Sequence, residues 1–171
     1  MYTNYIRGGL AVAILAFAIY LFFVGWPGSG VLLILLAILV GLTIVFNEAL
    51  VIAFLFVRKG NMEKAKKVLG WVKTPEGLLN MTEAYYYYLM GMLEMQTNSL
   101  GKAEKFFKKA LKTGLVVSTD QAVSKLNLAG IAASKRKKRE ALNLLAQAKK
   151  LDTNKMLGEQ IKMVEFQLGR I

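Results

Sequence analysis

Acid–base, nucleophilic and metal chemistry in proteins draws mainly on His, Cys and paired carboxylates. This chain of 171 residues has no Cys and no His. Disulfide staples, zinc fingers, thiol nucleophiles and His-based triads are therefore excluded, and without thiols the redox compartment is undecided. The acids run singly from Glu48 to Glu165, most of them beside lysines at helix-surface spacing, so none forms a catalytic dyad or a metal cage. No GxxxxGK[ST] or GxGxxG loop is present to cradle a phosphate. The residues thus predict no enzyme, no cofactor and no metal.

Two constellations remain, and both suit recognition. Tyr85, Tyr86, Tyr87 and Tyr88 place four aromatics in little more than one helical turn, so they radiate around the helix and only some can enter a core; Tyr87 is expected inside. Tyr85, Tyr88, Met92 and Met95 follow one face at spacings of three and four. Phenols with polar tips and pliable thioethers there suit a bound peptide or a neighbouring helix. Lys135, Arg136, Lys137, Lys138 and Arg139 form a basic run. Such a run reads as a solvated turn, as an attraction to anionic lipid at about 1 kcal/mol per residue near the surface, or as a phosphate contact to RNA. It has no interleaved aromatic on which bases could stack.

The elements that carry these residues fall into two regimes. Before Arg58 the only charged side chains are Arg7 and Glu48, although the whole chain carries +12. Residues 8–26 form an uncharged apolar run, and residues 31–57 form a second, with Pro27, Gly28, Ser29 and Gly30 read as a tight turn. Nineteen helical residues approach the roughly 30 Å of a hydrocarbon core, so residues 1–57 are expected to form a two-helix transmembrane hairpin in the lipid bilayer. Tyr20 and Trp26 suit interfacial positions. A cleavable signal peptide is the competing reading of the first run, but no small-x-small site precedes a polar sequence. Arg7 before the first span and the lysines after the second place both termini on the cytoplasmic side. Glu48 reads as interfacial, with an intramembrane ion path as the alternative.

Residues 58–171 change to mixed charged and apolar positions at helical spacing. Helices are expected over about 61–73, 81–97, 99–113, 119–134, 137–151 and 155–169, and no segment alternates like a strand. Asn80 with Glu83 and Ser118 with Gln121 read as capping boxes. Three segments align without gaps at 38-residue intervals, opening at Ala65, Ala103 and Ala141. Each has a large apolar residue four positions on (Leu69, Phe107, Leu145), then Val72, Ala110 or Ala148, and a small residue twelve positions before (Ala53, Gly91, Ala129). This double beat predicts helix pairs whose small residues allow close approach.

The middle unit resembles the tetratricopeptide repeat family. Tyr87 stands at its Trp position, Met90 and Gly91 at Leu-Gly, and Ala103, Phe107 and Ala110 along the second helix. Glu94 and Leu115 depart from the family's Tyr and Pro, Lys125 and Thr153 depart from its Trp and Pro in the last unit, and the period exceeds the family's 34. The first unit would take Ala49, Ile52, Ala53 and Phe56 as its first helix. The resemblance implies an α-solenoid over about 46–155, with a recognition groove on the first-helix surface that includes Tyr85, Tyr88, Met92 and Met95. Leu157, Ile161, Val164 and Leu168 form an apolar stripe suited to a capping helix over 155–169.

The sequence therefore predicts an all-α integral membrane protein. A transmembrane hairpin is followed by a tetratricopeptide-like cytoplasmic domain that acts as an adaptor for a protein partner. Two alternatives stand beside it: a structural subunit or assembly factor of a larger membrane complex, and a basic docking surface for ribosomes or anionic lipid.

Overall fold

The computed structural model describes residues 2–25, 27–45 and 47–170, with side chains described over 8–25, 28–40 and 47–170. Trp26 and Phe46 lie outside the described residues; for Arg7 and Gly41 only the backbone is described. The described chain is all helical: α1 (Tyr2–Phe23), α2 (Pro27–Val45), α3 (Glu48–Arg58), α4 (Met62–Leu69), a 3-10 turn (Pro75–Gly77), α5 (Asn80–Gln96), α6 (Leu100–Thr113), α7 (Ser118–Ser134), α8 (Lys138–Leu151) and α9 (Gly158–Gly169). It divides into two compact units, Met1–Ile52 and Ala53–Ile171.

In the first unit α1 packs along α2. Ala18, Gly30 and Ala37 are buried, and a Cβ on Gly30 would stand 2.7 Å from the Phe22 ring, so small residues let the two backbones close together. The turn is displaced from its expected place. Val24 and Gly25, the latter at φ 87°, leave α1, while Pro27 opens α2, where a missing N–H is no loss.

The integral-membrane placement, with its transmembrane hairpin and cytoplasmic termini, is overturned. Among the described residues no helix is long and apolar enough to cross a membrane. The sequence count ran through positions that the helices do not use. Helix α1 stops at Phe23, and its run beyond Gly8 and Gly9 is only Leu10–Phe23, about 21 Å long against roughly 30 Å required. The expected 31–57 span is cut in two: α2 ends at Val45, and α3 begins anew at Glu48 with the Asn47 Oδ1 accepting the Ala49 amide (3.1 Å).

In the second unit the 38-residue beat is written into the backbone. The left-handed positions Gly60, Asn98 and Arg136 (φ 72°, 56° and 58°) close the first helix of each unit. Their amides donate to Val57, Met95 and Ala133 (3.0, 3.0 and 2.9 Å). The next amides, of Asn61, Ser99 and Lys137, reach back to Phe56, Glu94 and Ala132 (2.8, 2.9 and 2.9 Å). Each turn is a Schellman motif, and it recurs three times in register. The same turn thus recurs at the repeat interval, α5–α6 and α7–α8 pack as two helix pairs, and the reading as an all-α, helical-repeat-like fold holds. Gly and Asn adopt the left-handed region readily, whereas Arg136 is strained there. Arg136→Asn is expected to raise stability by up to about 1 kcal/mol in urea unfolding; an unchanged midpoint would show that the turn relaxes around arginine.

The repeated side chains fill the seams as their spacing requires. Ala53, Ala65, Leu69, Gly91, Ala103, Phe107, Ala110, Ala129, Ala141, Leu145 and Ala148 are all buried. Tyr87 is buried too, stacked on Phe106 and hydrogen-bonded to Glu76 Oε1 (3.2 Å). A Cβ on Gly91 would stand 2.9 Å from the Phe107 ring, which explains the small residue at that point. Unit one departs at its end. Gly70 caps α4 early, and Pro75 forbids the last turn that the other units make, so Val72 falls outside the helix.

The two expected capping boxes are not formed. Leu79 and Val117 occupy the N-cap positions, and Gln121 sends its amide to the Leu115 carbonyl (2.5 Å) instead. Helix α9 closes the stack: Leu157, Ile161 and Leu168 are buried with Val164 beside them, packed on α7 and α8. The turn into α9 is organised by Asp152, itself buried, whose carboxylate accepts the amides of Met156 (3.0 Å) and Leu157 (2.9 Å).

Candidate partner-binding surfaces

The predicted groove residues share a face, but the stack uses part of it. Tyr88 is 6% exposed, its ring edge-on to Phe107 at 6.4 Å, so it is out of a partner's reach. Tyr85 is half-buried and donates its hydroxyl to Asp120 Oδ2 (2.8 Å) on α7, which ties neighbouring units together. Burial first, and then the Asp120 carboxylate, pushes both phenols above their usual range, so they remain neutral donors. Met92 and Met95 are half-buried and keep some open surface. The sequence marks a stripe along one helix. What it lacked was the neighbour: a spacing of three and four defines a stripe without saying whether another unit covers it.

The basic run is exposed from Lys135 to Arg139, and it is not uniform. Lys135 bonds Glu104 Oε2 of α6, and Lys137 lies 3.4 Å from Glu140. Arg136, Lys138 and Arg139 make no ion pair among the described residues, and of these Lys138 and Arg139 lie on α8. Glu104 also takes Lys108 Nζ at 2.6 Å, and these bonds, Lys108 first and then Lys135, hold its carboxyl at about 2. An unfolded chain would protonate the same group near 4.5. The stability contributed by Glu104 is therefore complete above pH 4.5 and is lost as pH falls towards 2. Both lysines are more than one-third exposed, so salt screens the effect. Glu104→Gln is expected to flatten the unfolding midpoint between pH 4.5 and 2; an identical pH profile for the variant would remove Glu104 from that role.

Sequence reasoning missed a cleft between α8 and α9. Leu142, Leu145 and Leu168 line it, with Lys138, Lys149 and Glu165 at its mouth. A smaller opening lies at the corresponding place between α4 and α5, lined in part by Met62, Lys66, Met90 and Leu93. A signal was present in the repeat itself: in phase with Lys66 and Glu104, the third unit carries Leu142. Among the described residues no group of three or more acidic side chains is placed to hold a metal ion. No family model, no curated protein and no solved structure matches this chain.

Proposed function

We propose that the chain is a tetratricopeptide-like adaptor that holds a protein partner on its repeat stack. The observation that supports this most strongly is the left-handed turn recurring at Gly60, Asn98 and Arg136, because stacked helix pairs present long surfaces whose clefts between units remain open to a ligand. The resemblance of the middle unit to tetratricopeptide repeats supports the same reading. Met92 and Met95, together with the clefts beside α4 and α8, are the places for contact, and their thioethers adapt to varied apolar side chains. Photo-crosslinking tests it. A photoreactive residue at Met92 or Met95 of the full chain is expected to yield one discrete adduct, identified by mass spectrometry, that an exposed position such as Lys150 does not yield. Equal or absent adducts from all positions would end the adaptor reading.

A second reading, as a structural subunit or assembly factor, is favoured by one observation. The α1–α2 unit exposes Leu10, Phe17, Leu32 and Leu39, each more than half accessible, and apolar surface of that extent asks for a cover. Phe17→Ser with Leu39→Ser should then abolish co-purification with a larger assembly while leaving the unfolding of the repeat stack unchanged. Continued co-purification would dispose of it.

A further inference from the structure

We propose that the cleft between α8 and α9 is the docking site for an acidic amphipathic segment of the partner protein, with apolar side chains on its floor and carboxylates at Lys138 and Arg139. The proposal deepens the adaptor reading and rests on it.

Three observations converge on that occupant. The first is size: the cleft holds 490 Å³, against 80 Å³ for the opening between α4 and α5. It is an open depression and not an enclosed pocket, with room along it for several side chains of a docked segment.

The second is a departure from the repeat. At the 38-residue phase of Lys66 and Glu104, unit three carries Leu142, which is 50% exposed at the cleft. At the phase of Met62 and Leu100 it carries Lys138. Charged and apolar residues have thus changed places along α8. The exchange turns a leucine outward and sets a cation one helical turn away from it.

The third is charge. Glu165, the one acid lining the cleft, is held by Lys149. Lys138 and the adjoining Arg139 have no ion-pair partner among the described residues. Both lie at the start of α8, where the helix dipole adds to the attraction for a carboxylate. A leucine floor beside two free cations complements a segment with apolar anchors and acidic flanks. Nucleic acid or lipid headgroups would engage the cations without filling the floor.

The full chain and a fluorescein-labelled synthetic helical peptide of 18 residues decide the matter. The peptide carries Leu on one face and Glu elsewhere, and anisotropy is read at physiological salt. Leu142→Ser and the pair Lys138→Glu with Arg139→Glu are each expected to weaken binding at least tenfold, and a Lys-for-Glu version of the peptide to bind at least tenfold more weakly. These side chains are exposed, so unchanged thermal melts of the variants are expected to accompany the loss. Wild-type affinity in Leu142→Ser overturns the proposal, as does equal binding of the Lys peptide. Tighter binding of a single-stranded RNA or of phosphatidylserine vesicles, lost only in the charge-reversal variant, also overturns it and makes the surface a phosphate dock. Discrete adducts from Met92 and Met95 that persist in Leu142→Ser would sink this cleft while leaving the adaptor reading intact.

Discussion

Phe107→Ala is expected to lower the stability of the repeat stack by about 3–5 kcal/mol, the usual loss when a fully buried aromatic is cut back and its cavity stays open. That is a large share of the roughly 5–15 kcal/mol that holds a domain together. The more informative test concerns its neighbour. Gly91 has no space for a methyl group, since a Cβ there meets the Phe107 ring at 2.9 Å. Helix propensity alone would reward Gly91→Ala by about 1 kcal/mol, whereas overpacking of a rigid, buried ring costs about 1–3 kcal/mol. The substitution is expected to destabilise.

The outer units show how the conflict is resolved, because Ala53 faces the phase of Leu69 and Ala129 that of Leu145. Ala accompanies Leu; Gly accompanies Phe. Gly91→Ala combined with Phe107→Leu therefore rebuilds the outer-unit pairing, and the double variant should be more stable than the sum of the two single effects predicts by about 1 kcal/mol or more. Strict additivity in urea unfolding would show that the two residues do not constrain each other.

Asp152→Ala is the second large effect. The carboxylate is 7% exposed and accepts two backbone amides ahead of α9. Hydrogen bonds to a charged group contribute about 1.5–3 kcal/mol, and their loss leaves the Leu157 amide unpaired in a buried turn. A total of about 2–4 kcal/mol follows, accompanied by faster amide exchange across α9, since Leu157, Ile161 and Leu168 depend on that turn to reach α7 and α8. Asp152→Asn, which retains one acceptor oxygen, should fall between. If α9 exchanges at its original rate in Asp152→Ala, the turn is held by the apolar stripe alone.

How far the fold could be read in advance follows from which signals are local. The 38-residue interval was legible because small and large residues recur at fixed offsets, and helix packing leaves few other arrangements for such a beat. The helix ends after Arg58, Gln96 and Ser134 were legible within a residue or two for the same reason. The turn of the hairpin was misplaced because Pro27 was taken as a breaker, although the first position of a helix is the one place where its missing N–H costs nothing. The span lengths failed with it, since apolar residues were counted without knowing that helices stop at Phe23 and Val45. Tyr88 was legible as an aromatic on a stripe but not as a buried one. Its burial depends on Phe107, nineteen residues away in sequence. The α8–α9 cleft was hidden because one of its walls is the capping helix, and only its α8 wall, through Leu142 in phase with Lys66 and Glu104, could be compared along the repeat.

The turn at Gly60, Asn98 and Arg136 recurs inside the helix pairs, and the way into a pair recurs as well: Leu79 and Val117 open α5 and α7 from the same extended backbone. A copy of the α5–α6 pair with its following loop, spliced in after Val117, would therefore meet matching ends on both sides. Such an elongated variant should fold as one longer superhelix under the same lid, its resistance to denaturant rising with every module added.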